Sequence, residues 1–240
     1  MMKYQQLVVN GCSYMESYAS GFGHQELAER LSIPQAISLA IGGSANSRII
    51  RTTLKHSYIT LQPTLYVLGM TFVSREELPI LQASSDFEGR WTNFQNQSWS
   101  SRWDAPWTQA DTDAMIELKL KWELNSILDR AEDLMYRILA MIHSLKSRGH
   151  AVIVFQQADN LYESYLDSPR LKLFHSEPEI VEGYKWRAIP WQHERGVPAT
   201  DYGPGALQYV PPEIAHRQPG FHQELNMFLT AWINNNNLLK

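Results

Sequence analysis

Leu7-Val8-Val9-Asn10-Gly11-Cys12-Ser13-Tyr14 is the stretch on which the reading of this chain turns. A short apolar run, two of its three residues β-branched, meets a polar, glycine-bearing turn. Such a run, bounded by turn residues, reads as a buried strand of a parallel sheet. The pattern recurs. Ala36 to Ile41 is a second strand ended by Gly42-Gly43, and Thr64 to Leu68 a third ended by Gly69. Between them, Gln25 to Leu31 reads as a helix with Leu27, Ala28 and Leu31 on one face. Ser47 to Tyr58 reads as another, with Ile49, Ile50 and Leu54 inward. Strand and helix in alternation is the grammar of an α/β domain with a parallel sheet.

Further along, the spacing predicts a long helix from about Asp113 to Lys146, stopped by Gly149, and a fourth buried strand over Ala151–Phe155. From Asp159 to Pro212 prolines accumulate. Loops, short helices around Leu161–Leu166 and a fifth strand near Trp186–Ile189 are expected there. Gln218 to Ile233 is a last amphipathic helix, with Phe221, Leu225, Phe228, Leu229 and Trp232 inward. The run Asn234–Asn237 is expected to fray. No repeat and no linker divides the chain, so residues 1–240 are read as one domain.

Composition narrows the function classes. The 240 residues are 44% hydrophobic and carry a net charge of −4, with no dense basic run. A general nucleic-acid grip needs clustered Lys and Arg. No stretch approaches the roughly 20 apolar residues of a membrane span. The start, Met1 to Gln6, leads into too short an apolar run for a secretion signal. The single cysteine, Cys12, permits neither an internal disulfide nor a cysteine-based zinc site. His175 and His193 lack metal-ligand spacing. No cofactor and no metal are expected. The expected location is cytoplasmic.

The chemistry lies at the two ends of the chain. Ser13 leaves the carboxyl end of the first strand, the edge where open parallel sheets hold their ligands. Glu213-Ile214-Ala215-His216 places a carboxylate three residues before a histidine, just ahead of the last helix. Serine, histidine and carboxylate are the parts of a nucleophilic hydrolase. In this order and placement the chain resembles the SGNH (GDSL-like) hydrolase family, in particular its divergent members from tailed bacteriophages. The family's first block is Gly-Asp-Ser; here it is Gly11-Cys12-Ser13, with Cys12 replacing the aspartate. The glycine block is best matched by Gly43, with Gly42 the near alternative. The last block, Asp-x-x-His, is matched by Glu213 to His216, and His222 sits where members carry a second, non-catalytic histidine. The third block, Gly-x-Asn-Asp, departs: Gly69-Met70-Thr71 puts Thr71 where the oxyanion-binding asparagine belongs.

The resemblance implies a three-layer sandwich around a parallel, flavodoxin-like sheet of about five strands in the order 2-1-3-4-5. It implies a serine esterase, plausibly a carbohydrate O-deacetylase. Ser13 is then the nucleophile, His216 the base and Glu213 its orienting carboxylate. Gly43 and Ser13 N–H groups hold the oxyanion, with Thr71 or Asn46 assisting and Arg75 a further substitute. Losing one such donor costs on the order of 10²–10³ in turnover. That departure keeps a second reading open: a weak or inactive SGNH fold serving as a viral structural or glycan-binding module. A third makes Cys12 the nucleophile, although nothing in the sequence lowers its pKa.

A Trp-rich insertion at about 76–111 follows the third strand. Trp91, Phe94, Trp99, Trp103 and Trp107 lie among polar residues there. Trp91, Trp99, Trp103 and Arg75 are the candidate substrate-binding residues, because aromatic faces with polar neighbours suit sugar rings. The same rings serve equally in a lid or a subunit contact. The expected partner is an acylated small molecule or glycan, without nucleic acid or membrane. Virion proteins or a second copy of the chain are the other candidates, with the host cytoplasm or the virion as location if the source is viral.

Overall fold

Four of the apolar runs pair as one all-parallel sheet. They are β1 (Gln6–Gly11), β2 (Gln35–Ser38), β3 (Thr64–Met70) and β6 (Ala151–Gln156), in spatial order β2-β1-β3-β6. The first four strands of the expected 2-1-3-4-5 order are therefore present, and the chain is an α/β protein. A second, two-stranded antiparallel sheet is formed by β4 (Arg75–Pro79) and β5 (Trp91–Gln95). The computed structural model describes residues 4–42, 44–71, 75–79, 91–95, 117, 127–156, 179 and 221–239. The expected fifth strand near Trp186–Ile189, the short helices around Leu161–Leu166 and most of residues 113–126 lie outside them.

The described helices are α1 (Ser13–Ser20), α2 (Gly23–Arg30), α3 (Asn46–Ile59), α4 (Ile127–Ser147) and α5 (Phe221–Asn235). Alternate strand residues face opposite sides, so each apolar run feeds two cores. Leu7, Val9, Leu65, Val67, Ile153 and Phe155 pack with Met15 and Tyr18 of α1, Leu27 and Ala28 of α2, and Leu225, Leu229 and Ile233 of α5. Val8, Tyr66, Leu68, Val152 and Val154 pack on the other side with Ile49 and Ile50 of α3. There α4 adds Leu134, Ile138, Met141, Ile142 and Leu145, the expected helical stripe. Each fully buried Leu or Ile contributes about 1.5–3 kcal/mol. Helices thus cover both faces of the sheet, and none among the described residues is long and apolar enough to cross a membrane.

Several boundaries differ from the sequence reading, each for a physical reason. The segment after β1 is a helix, not a loop: α1 opens directly at Ser13, and the Glu16 N–H donates to the Cys12 carbonyl at 3.0 Å. β2 stops at Ser38 rather than Ile41. Among the described strands it lies at the edge, exposed or half-exposed along its length, although Leu39 and Ile41 still donate to the Val9 and Gly11 carbonyls at 2.8 and 3.3 Å. Gly69 does not end β3 but lies within it, in register with Gly11.

The tail after α5 is not frayed. Asn237 takes the left-handed conformation, φ 53°, and donates to the Asn234 carbonyl, while Leu238 donates to that of Ile233 at 3.1 Å. This is a Schellman closure, in which two backward hydrogen bonds satisfy orphan carbonyls. It turns Leu238 and Leu239 onto the core. Ser32 (φ 57°) closes α2 in the same way, with Ile33 donating to Ala28 at 2.8 Å. Gly149 (φ 80°) closes α4, with His150 donating to Leu145 at 3.0 Å.

Candidate functional site at the carboxyl edge of the sheet

The chain passes from β1 outward to β2, then back across β1 to β3. The reversal makes the carboxyl ends of β1 and β3 a topological switch point, the place where open parallel sheets bind ligands. Three segments border that edge: the β1–α1 junction, the β2–α3 loop and the end of β3.

The β1–α1 junction is held by Asn10, a residue the sequence reading passed over. Its side chain is fully buried, and the two hydrogens of its Nδ2 are shared among three acceptors, the Ile49 carbonyl at 3.1 Å, Thr52 Oγ1 at 2.8 Å and Thr53 Oγ1 at 2.9 Å. Its Oδ1 accepts the N–H of Gly11 at 2.9 Å. One amide therefore ties the end of β1 to α3 and bends the chain into α1. The available signal was an asparagine in a strand whose neighbours are all buried, opposite a helix bearing Thr52-Thr53. Gly11 is required for space. A Cβ there would fall 2.4 Å from Met15 Cγ and 2.8 Å from the carbonyl oxygen of Gly69. Cys12 is buried, and Ser13 is the first residue of α1.

The β2–α3 loop is stitched internally. Ser44 donates twice to the Ile41 carbonyl, from N–H at 3.2 Å and from Oγ at 2.6 Å. Arg48, buried on α3, donates from Nη1 to the Ser44 hydroxyl at 3.1 Å and to the Leu39 carbonyl at 3.3 Å. The sequence reading gave neither a role, although Ser44 and Arg48 stand four residues apart at a helix start, the spacing at which side chains meet. The Gly42 N–H is taken by Glu16 Oε2 at 2.9 Å.

At the end of β3, Thr71 is wholly buried. Asn46, the first residue of α3 and also buried, clamps it: Oδ1 accepts the Thr71 N–H at 2.7 Å and Nδ2 donates to the Thr71 carbonyl at 3.0 Å. The two oxyanion candidates are thus adjacent, joined through the main chain of one and the side chain of the other. Arg75 and Trp91 are separated. Arg75 pairs with Gln95 at one end of the β4–β5 ribbon and Trp91 with Pro79 at the other. At about 3.4 Å per residue their backbones stand roughly 14 Å apart.

Of the remaining candidates, Gly43, Glu213, His216, Trp99 and Trp103 lie outside the described residues. α5 begins at Phe221, five positions after His216. Comparison with known proteins finds no matching family model, no matching curated protein and no matching solved structure.

Proposed function

We propose that the protein is a serine acyl hydrolase of the SGNH type that removes acyl groups, such as acetyl, from a carbohydrate. The observation that carries the reading is the position of Ser13. It opens a helix directly after an interior strand, at the switch point of the β2-β1-β3 order. A helix start adds N–H groups without intrahelical partners and a partial positive charge, both suited to a developing oxyanion.

In this reading His216 takes the proton from Ser13 as its oxygen attacks the ester carbonyl. The Ser13 and Gly43 N–H groups hold the oxyanion. Collapse expels the alcohol, which receives the proton back from His216, and the acyl group remains on Ser13. Water then attacks the acyl-enzyme with His216 again as base, releasing the acid. Glu213 orients the imidazole. The carbohydrate assignment rests on the Trp-rich segment at 76–111, whose aromatic faces suit sugar C–H faces.

The test is hydrolysis of p-nitrophenyl acetate by the wild type, Ser13→Ala and His216→Ala. Both variants should fall to the uncatalysed rate. Equal rates for wild type and Ser13→Ala reject the esterase.

A specific observation favours the second reading, a weak or inactive SGNH fold used as a structural or glycan-binding module. The Thr71 side chain is buried, and the Asn46 amide is engaged on the Thr71 backbone. A glycan-binding role predicts retention on an acetylated-glycan array without turnover.

A further inference from the structure

Glu16 takes no part in the mechanism above, yet it joins two of the segments that border the carboxyl edge of the sheet. It lies one helical turn after Ser13 on α1, and its carboxylate is half-buried. Oε2 accepts the N–H of Gly42 at 2.9 Å, across 26 residues of sequence. On the loop side, Ser44 bonds to Ile41, and Arg48 bonds to Ser44 and Leu39. Glu16 thereby ties Gly42 to the helix that starts at Ser13.

We infer that Glu16 is a positioning residue: it sets the β2–α3 loop relative to Ser13 for the acyl transfer. This rests on the esterase reading. The bond has a second consequence. A Gly42 N–H engaged by a carboxylate is not offered to an oxyanion, so Glu16 also selects which donors of the loop remain for substrate. A misplacement of about 1 Å in such a constellation costs on the order of 10²-fold in rate.

The required property is an acceptor at the end of a three-bond side chain. Glutamine keeps one, alanine has none, and aspartate is one methylene short. The experiment is steady-state hydrolysis of p-nitrophenyl acetate by wild type, S13A, E16A, E16Q and E16D. In E16A and E16D, kcat should fall by about 10–100-fold with KM changed by less than about twofold, while E16Q recovers most of the lost kcat. If E16A does not fold, E16D carries the comparison. Wild-type kcat in E16A or E16D, with S13A inactive, overturns the role of Glu16 and leaves the esterase standing. An E16Q as impaired as E16A also overturns it, because charge and not the acceptor would then matter. A wild type no faster than S13A removes the esterase and this role together.

Discussion

The Tyr18 hydroxyl donates to Asn226 Oδ1 at 2.5 Å, joining positions 208 residues apart in the sequence. Asn226 in turn donates from Nδ2 to the Gly23 carbonyl at 3.1 Å. Both side chains are fully buried. The bond ties α1, which opens at Ser13, to α5, which opens five residues after His216. Tyr18 and Asn226 each lie five residues into their helix, about 7.5 Å of rise from its start. The two ends of the chain are therefore anchored together on one face of the sheet. Burial, reinforced by the Glu26 charge, pushes the Tyr18 phenol well above its ordinary range, so it stays a donor.

Tyr18→Phe leaves Asn226 Oδ1 buried without that donor. The loss should be about 1–3 kcal/mol, the cost of an unsatisfied buried acceptor. Urea denaturation should show a lower midpoint at unchanged slope. A midpoint equal to wild type would mean that the bond contributes nothing.

Gly11→Ala should destabilise by roughly 1–3 kcal/mol through overpacking. Met15 is flexible and can yield, but the Gly69 carbonyl oxygen, 2.8 Å from the added carbon, belongs to the neighbouring strand. Gly11→Ala combined with Met15→Ala should therefore still show the backbone share of the strain. Calorimetry on the single and double variants tests this.

Helix closures give changes of opposite sign. Ser32 holds φ 57° with a side chain that this region disfavours, so Ser32→Gly should stabilise by about 0.5–1 kcal/mol. Gly149→Ala, at φ 80°, should destabilise by about 1 kcal/mol, although a Cβ there meets nothing within 4 Å. Thermal unfolding should separate the two by several degrees.

Stability should fall as the solution is acidified below about pH 6.5. His150 is buried and its Nδ1 accepts the Thr64 N–H at 3.3 Å, so this nitrogen carries no proton in the fold. Burial lowers its pKa, the Arg148 charge adds to this, and a hydrogen bond to the Ser57 backbone opposes it. His56, bonded through Nδ1 to the Tyr66 hydroxyl at 2.9 Å, is lowered by burial and by His150. His24 is lowered by burial, and its Nδ1 has no hydrogen-bond partner among the described residues. Each folded-state pKa lies below the unfolded value of about 6.5. The unfolded chain then binds more protons in that window. The stabilisation is full above pH 6.5 and is lost as pH falls through the folded-state values. Melting temperature against pH should show the fall, and His150→Gln should remove its share.

Cys12 is 1% exposed. Iodoacetamide should modify it slowly in the native protein and at the free-thiol rate in denaturant. Rapid native labelling that also stops ester hydrolysis would support the reading with Cys12 as nucleophile.

Much of the fold could be read directly from the residues. Buried parallel strands are continuous apolar runs, so Leu7–Val9, Thr64–Leu68 and Ala151–Phe155 stood out without knowledge of their neighbours. The stripe of α4 was visible because one helix face meets one sheet face. Short helix α1 was not: Met15 and Tyr18, with Ala19 beside them, mark its inner face among polar residues. The β4–β5 ribbon was hidden in an insertion singled out for its aromatics.

What the sequence by itself determined is the α/β class, the central strands and Ser13 at the end of the first of them. These follow from local periodicity and turn chemistry, which a single segment carries whole. Only the tertiary structure decided how Asn10 braces the junction, that Asn46 is spent on Thr71, and that Glu16 holds Gly42. Those are pairings of buried polar groups between distant segments. Each residue type allows many partners, and burial forces the choice only when the elements pack.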